Sequence, residues 1–82
     1  MRTLQAQAAA LAGMFAAALG GEPRTTITEI GDVRIEADLP AGMTAAMRAA
    51  VLTALGMADR YGHVRTEGVD TVWAELDREA RQ

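Results

Sequence analysis

The sequence predicts one small α+β domain with the element order α-β-β-α-β-β: a four-stranded, mainly antiparallel sheet with two helices on one face. Two stretches, 3–19 and 43–61, repeat apolar residues at helical spacing. Two others, 25–38 and 63–77, alternate apolar with charged residues on either side of a glycine, which is typical of β-hairpins. The chain of 82 residues is short enough for a single domain, predicted over 1–82.

The first helix, predicted over 3–19, carries a stripe of apolar residues at four- and three-residue steps. Thr3 is the predicted N-cap, and Gly20 ends the helix. No charged residue occurs from Leu4 to Gly21, so a cleaved signal peptide and a membrane span are alternatives to an amphipathic helix. The stripe consists of Leu4, Ala8, Leu11, Phe15 and Ala18.

The composition of this segment favours the amphipathic helix, packed on the domain or on a second copy. Gln5 and Gln7 interrupt the apolar run and Arg2 is a solitary charge, which weakens the signal-peptide interpretation. A membrane span needs ~20 strongly apolar residues, whereas this segment is mostly alanine. We therefore predict a cytoplasmic protein without a membrane partner, and keep an exported protein whose first ~20 residues are removed as an alternative.

The first hairpin, predicted over 25–38, turns at residues 31–32, because a two-residue loop led by glycine suits a primed turn. This turn places Ile30 opposite Val33, and the register of the hairpin follows from that pair. One face of the hairpin is then apolar and packs toward the helices. It carries Ile30, Val33, Ile35, Ala37 and Leu39.

The other face of this hairpin is charged. In the same register Glu29 lies opposite Arg34, and such a cross-strand ion pair supports the pairing of the two strands. Ile27 also falls on this charged face, as an apolar exception. The hairpin therefore predicts a polar outer side of the sheet that carries one exposed isoleucine.

The second helix, predicted over 43–61, has its own apolar stripe. Thr44 is the predicted N-cap, and Gly62 is the predicted residue beyond the C-terminus, where glycine adopts a left-handed conformation without strain. Gly56 falls inside the predicted helix, where we interpret it as a site of close packing. The stripe consists of Met43, Met47, Val51, Leu55 and Ala58.

The second hairpin, predicted over 63–77, has two competing registers. A three-residue loop at 68–70 pairs Val64 with Ala74, whereas a two-residue loop would pair Val64 with Trp73. We favour the first register, because it gathers the apolar residues on the side of the sheet that faces the helices. These residues are Val64, Val72, Ala74 and Leu76.

The favoured register turns the single tryptophan away from the helices, and this gives a candidate interaction surface. Tryptophan and arginine are enriched among the residues that dominate binding energy at interfaces. A register slip of one residue would instead bury the indole in the core. His63, the single histidine, lies near Glu75 and has too few neighbouring ligands for a metal site. The predicted surface comprises Trp73, Arg65, His63, Ile27 and Glu75.

The composition excludes several kinds of site. The chain has no cysteine and no serine, so disulfides, thiolate metal sites and a Ser-His-Asp triad are excluded. Neither of the glycine-rich phosphate-binding patterns occurs. The net charge of −3 argues against nucleic acid as the main partner, because phosphate binding rests on clustered basic residues. We expect no catalytic, cofactor-binding or metal-binding residues, and therefore no enzyme.

The leading functional prediction is a small non-enzymatic protein-interaction module that forms a homodimer or binds another protein. Half of the residues are hydrophobic, but much of that half is alanine, so the core of a chain this short is thin without a partner. Two alternatives remain. One is a small regulatory or mobile-element accessory protein, antitoxin-like and associated with nucleic acid, and the other is the exported protein described above.

Overall fold

The computed structural model describes residues 3–80, and these form the predicted α+β fold. Residues 1, 2, 81 and 82, at the two ends of the predicted domain, lie outside the described residues. In chain order the elements are α1 (Leu4–Leu19), β1 (Arg24–Ile27), β2 (Val33–Leu39), α2 (Ala45–Leu55), β3 (Arg60–Thr66), β4 (Val69–Leu76) and a 3-10 turn (Arg78–Ala80).

The four strands form one sheet in the order β1-β2-β4-β3, and every neighbouring pair is antiparallel. The two helices pack against each other and against one face of this sheet, as predicted. We call the opposite side the outer face. The core lies between helices and sheet and consists of Ala8, Leu11, Phe15, Val33, Ile35, Ala37, Val51, Ala54, Leu55, Val72, Ala74 and Leu76.

The ends of α1 confirm the predicted caps. The Thr3 side chain accepts a hydrogen bond from the backbone N–H of Ala6 at 3.0 Å, which satisfies one free donor of the first turn. Gly20 adopts a left-handed φ of 77° and donates its N–H to the Ala16 carbonyl. Phe15 is fully buried, so α1 is an integral layer of the domain.

The second helix begins at its predicted cap but ends earlier than predicted. The Thr44 side chain accepts from the backbone N–H of Met47 at 3.0 Å. The C-cap is Gly56, so the prediction that Gly56 lies inside the helix and that Gly62 follows its end is wrong. The backbone N–H of Asp59 donates to the Glu75 carbonyl at 2.9 Å, which draws the chain into the sheet before another helical turn forms.

The predicted register of the first hairpin is wrong, because its loop spans residues 28–32 rather than two residues. Ile27 lies opposite Val33, and Ile30 leaves the sheet and is exposed. The Thr28 hydroxyl accepts from the backbone N–H of Asp32 at 3.1 Å, which closes the wider loop. Ile27 therefore faces the helix side at the sheet edge, and the predicted Glu29–Arg34 ion pair does not form.

The apolar face predicted for the rest of that hairpin is confirmed. Val33, Ile35 and Ala37 are buried beneath the helices, and Leu39 packs against them at the end of β2. The alternate residues of β2 point to the outer face, where they are half-buried or exposed. The alternation within one strand was therefore readable from the sequence even though its pairing with β1 was not.

Both registers considered for the second hairpin are wrong. The turn consists of Glu67 and Gly68, with φ angles of 52° and 81°, so it forms one residue earlier than the predicted loop. Val64 consequently lies opposite Thr71 and points to the outer face. His63 lies opposite Val72 on the helix side.

Candidate functional site

The five residues predicted to form one surface are divided between the two faces of the sheet. Trp73 and Glu75 lie on the outer face, whereas His63 and Arg65 alternate onto the helix side of β3. Ile27 is on the helix side of β1, at the opposite edge of the sheet. The predicted outward position of Trp73 is correct, but its predicted neighbours are wrong because the β3–β4 register differs.

Trp73 packs against the sheet instead of projecting from it. It lies opposite Gly62 of β3, and a Cβ built on that glycine would be only 2.5 Å from the indole ring. The guanidinium of Arg34 lies 4.4 Å from the ring centroid, which is a cation–π contact. The indole is therefore half-buried between a glycine and an arginine.

Ion pairs cover the outer face around this indole. Arg34 donates to Glu36 at 2.9 Å and to Glu75 at 2.8 Å, and Arg60 donates to Glu75 at 3.1 Å. The hydrogen bond from Arg34, supported by the one from Arg60, holds the pKa of Glu75 below its ordinary value. Glu75 therefore faces Arg34 and Arg60, and the predicted proximity to His63 is wrong.

A buried carboxylate connects this network to the end of the chain. Asp32 accepts the backbone N–H of Arg78 at 3.0 Å and lies 3.3 Å from the guanidinium of Arg60. Arg60 also pairs with Asp77 at 2.6 Å, and this contact contributes most to raising the pKa of the guanidinium. These contacts hold the first hairpin loop, β3 and the C-terminal turn together, so the role of the cluster is structural.

Arginine side chains pair with the carboxylates of the outer face. Glu36, Asp38 and Glu75 are each held by an arginine, and Asp38 also accepts from the Thr71 hydroxyl at 2.9 Å. Hydrogen bonds from these arginines lower the pKa of Asp38 and of Glu75, so both carboxylates are poor proton acceptors. Within residues 3–80, no group of three or more His, Cys, Asp or Glu residues is placed to hold a metal ion.

An apolar groove on the helix side is the stronger candidate for a binding site. It lies between α2 and β3 and has a volume of about 360 Å³. Leu52 on its helical wall is 61% exposed and Tyr61 on its strand wall is 59% exposed, so large apolar surfaces face solvent there. Its lining comprises Leu39, Met43, Arg48, Val51, Leu52, Leu55, Tyr61, Gly62, His63 and Val72.

The rim of this groove is basic on balance. His63 Nε2 lies 3.2 Å from Asp70, and Arg65 lies 3.3 Å from the same carboxylate. Arg48 lines the helical wall and makes no ion pair with any residue in the described part of the chain. His63 and Arg65 thus share one carboxylate and Arg48 is unpaired, although the protein as a whole is acidic.

The groove was missed at the sequence level, although one signal for it existed. Arg48 and Leu52 are four residues apart, so they share a helix face adjacent to the buried stripe that contains Val51 and Leu55. The stripe identifies the face that packs on the core. It does not tell which neighbouring face lies beside an uncovered strand.

Strand β3 forms the second notable surface. It is the last strand of the sheet, so within residues 3–80 only one of its two edges is paired, and that edge pairs with β4. Six of its seven residues are exposed, and Gly62 is half-buried. An unpaired, exposed edge of this length presents a row of backbone donors and acceptors.

Another cleft, of about 450 Å³, lies between α1 and the segment after α2, but no charged residue lines it. Among residues 3–80, no helix combines the length and apolar character needed to cross a membrane. Comparisons with protein-family models, curated proteins and solved structures found no match.

Proposed function

We propose that the protein is a small non-enzymatic protein-interaction module that works in the cytoplasm as a homodimer, with the free edge of β3 paired to β3 of a second copy. The exposed seven-residue edge strand carries this proposal. Pairing would satisfy its free backbone groups and would cover apolar surface that the small core leaves at Tyr61 and Val64.

The side chains of β3 support one particular two-fold pairing. An antiparallel arrangement centred on His63 pairs all seven residues, and it sets Tyr61 beside the partner's Arg65, where cation–π contact is favourable. The same arrangement brings no two arginines opposite each other. A pairing centred on Val64 would set His63 beside Arg65 and would pair fewer residues.

Sedimentation equilibrium across a dilution series from micromolar to nanomolar concentration tests the dimer. We expect a dimer at the upper end and a dissociation curve below it. Val64→Lys would put one lysine from each copy near the two-fold axis, where like charges repel, so we expect a folded monomer.

Val69→Lys is the matched control for this experiment. Val69 is 46% exposed and Val64 47%, and both point to the outer face, but Val69 lies on β4 away from the free edge. The control should remain dimeric. A wild-type protein that is monomeric at all concentrations, or equal dimerisation of both variants, would contradict the proposed pairing.

A further inference from the structure

We propose that the groove between α2 and β3 binds an acidic amphipathic segment of a second protein. This inference rests on the proposed interaction function, which it deepens by naming the class of partner. The groove and the dimer both involve Tyr61 on β3, but the groove also uses Arg48 and Leu52 of α2, which the strand pairing does not, so variants of α2 test the groove separately.

The shape of the groove limits what it accepts. Its volume of about 360 Å³ is near the lower end of the ~300–1,000 Å³ typical of ligand pockets, which is room for a few side chains. Val51, Leu55 and Val72 form a buried floor, and Leu52 and Tyr61 stand at the sides. An apolar side chain entering between these walls would be desolvated, which is the usual setting of an interface hot spot.

The charges around the groove select the sign of the partner. Arg48 lies on the helical wall and His63 on the strand wall. His63 shares the carboxylate of Asp70 with Arg65, the next residue of β3 on the helix side. The carboxylates of Glu36, Asp38 and Glu75 all lie on the other side of the sheet. A segment with carboxylates flanking its apolar anchors would therefore meet complementary charge at the groove.

The same observations disfavour other occupants. A lipid bilayer is held by apolar side chains that project outward, whereas this surface is recessed. Nucleic acid would need several cations along a backbone track, and here one arginine, Arg48, lines an apolar groove. A second copy joined at the β3 edge would extend the sheet sideways and leave the space above the helix side accessible.

A fluorescein-labelled designed helix provides the probe, with leucine at every third or fourth position and glutamate elsewhere. Fluorescence anisotropy should give micromolar binding to the wild-type protein. Matched peptides with glutamine for glutamate, or serine for leucine, should each bind at least about fivefold more weakly. Amide chemical shifts should move at Leu52, Tyr61 and His63.

Protein variants locate the interaction. Arg48→Glu reverses the unpaired charge at the groove, and we expect at least about fivefold weaker binding of the acidic peptide. Leu52→Asp should abolish binding, because it puts a carboxylate at the apolar wall. Arg24→Glu makes the same change of charge on the outer face and should bind like wild type once circular dichroism confirms its fold.

Each alternative result overturns the inference. The first two results are that the glutamine peptide binds as tightly as the glutamate peptide, or that Arg48→Glu binds the acidic peptide as tightly as wild type. The others are that amide chemical shifts change only on the outer face, or that the protein prefers phosphatidylserine vesicles or single-stranded DNA to the peptide. Sedimentation of the same samples separates the two proposals. If the protein is a dimer that does not bind the peptide, only the groove proposal is refuted. If it is a monomer that binds the peptide, only the dimer proposal is refuted.

Discussion

The indole of Trp73 owes its position to a missing side chain on the neighbouring strand. Gly62 leaves the space in which the ring lies, and Arg34 packs on the ring 4.4 Å from its centroid. A glycine in a strand costs chain entropy and forms no side-chain contact of its own. Here the large aromatic partner across the ladder compensates by covering the exposed backbone, so the two residues act as a unit.

Gly62→Ala tests this unit. The added Cβ would lie 2.5 Å from one ring atom and 2.6 Å from another, so the bulky indole has to shift. We expect the free energy of unfolding to fall by ~1–3 kcal/mol, as for other overpacking substitutions. Urea denaturation followed by Trp73 fluorescence measures it, with a red-shifted emission in the folded variant.

The control for this substitution is Gly13→Ala. Gly13 is exposed within α1, and a methyl group added there would meet nothing within 4 Å beyond its chain neighbours and the backbone of its own helix, so alanine should stabilise the protein by roughly 0.5–1 kcal/mol. A Gly62→Ala protein as stable as wild type would show that the indole has room to move.

The sequence correctly predicted that Trp73 points to the outer face, but the neighbours predicted for it were wrong. The alternation in β4 is strong, because Val72, Ala74 and Leu76 are apolar at every second position, and this places the indole outside. Neighbours across the ladder depend on the register, which no pattern within β4 contains. Arg34 of β2 therefore packs on the indole, whereas Arg65, which was predicted to share its surface, lies on the other face of the sheet.

At the scale of elements, the β3–β4 turn carries identifiable strain. Both of its residues have positive φ, and Glu67 at 52° is the only residue other than glycine to do so in the described part of the chain. Asparagine followed by glycine is the preferred pair for such a turn. Glutamate lacks the short polar side chain that makes this conformation tolerable.

We therefore expect Glu67→Asn to stabilise the protein by roughly 0.5–1 kcal/mol. Thermal and urea denaturation measure the gain. Gly68→Ala is the opposing control, because φ at Gly68 is 81° and a side chain there is strained. If Glu67→Asn lowered the melting temperature, the strain attributed to the turn would be refuted.

The ends of the two helices show which parts of an element are determined by residues close in sequence. The caps at Thr3, Thr44 and Gly20 were predicted correctly, because each depends on hydrogen bonds within a few residues. The end of α2 was not, because Gly56 and Gly62 are equivalent as local stop signals. The choice between them comes from the pairing of Asp59 with Glu75, which are distant in sequence.

For the whole molecule, the outer ion-pair network makes stability depend on acid pH. Arg34 and Arg60 lower the pKa of Glu75 below the ordinary 4.5 in the folded state. The unfolded chain then binds a proton more readily, so this contribution is complete above about pH 4.5 and is lost as pH falls through the folded pKa.

Glu75→Gln should reduce that pH dependence. We expect urea denaturation at about pH 7 and about pH 3 to give a smaller difference in unfolding free energy for Glu75→Gln than for wild type. Glu22→Gln is the control, because Glu22 is exposed and makes no ion pair within residues 3–80, and it should retain the wild-type difference. An unchanged difference in Glu75→Gln would assign the acid sensitivity to other carboxylates.

The overall fold class followed from hydrophobic periodicity, whereas the groove did not. Each element carries its own pattern: an apolar stripe in α1 and α2, and alternation in β2 and β4. These patterns identify the faces that pack in the core. The groove exists because two helices cannot cover four strands, and β3 is the strand beside which the space remains. Which strand stays uncovered depends on topology and register together.

The two outer strands of the sheet are unequal, since β1 has four residues and β3 has seven. Only the longer edge strand, β3, presents enough backbone hydrogen-bonding groups to pair with another chain. In a symmetric dimer formed at this edge, β3 of each copy is paired, and only the short edge strand β1 stays exposed. In the proposed dimer, growth of the assembly would stop at two copies, without the risk of forming fibres.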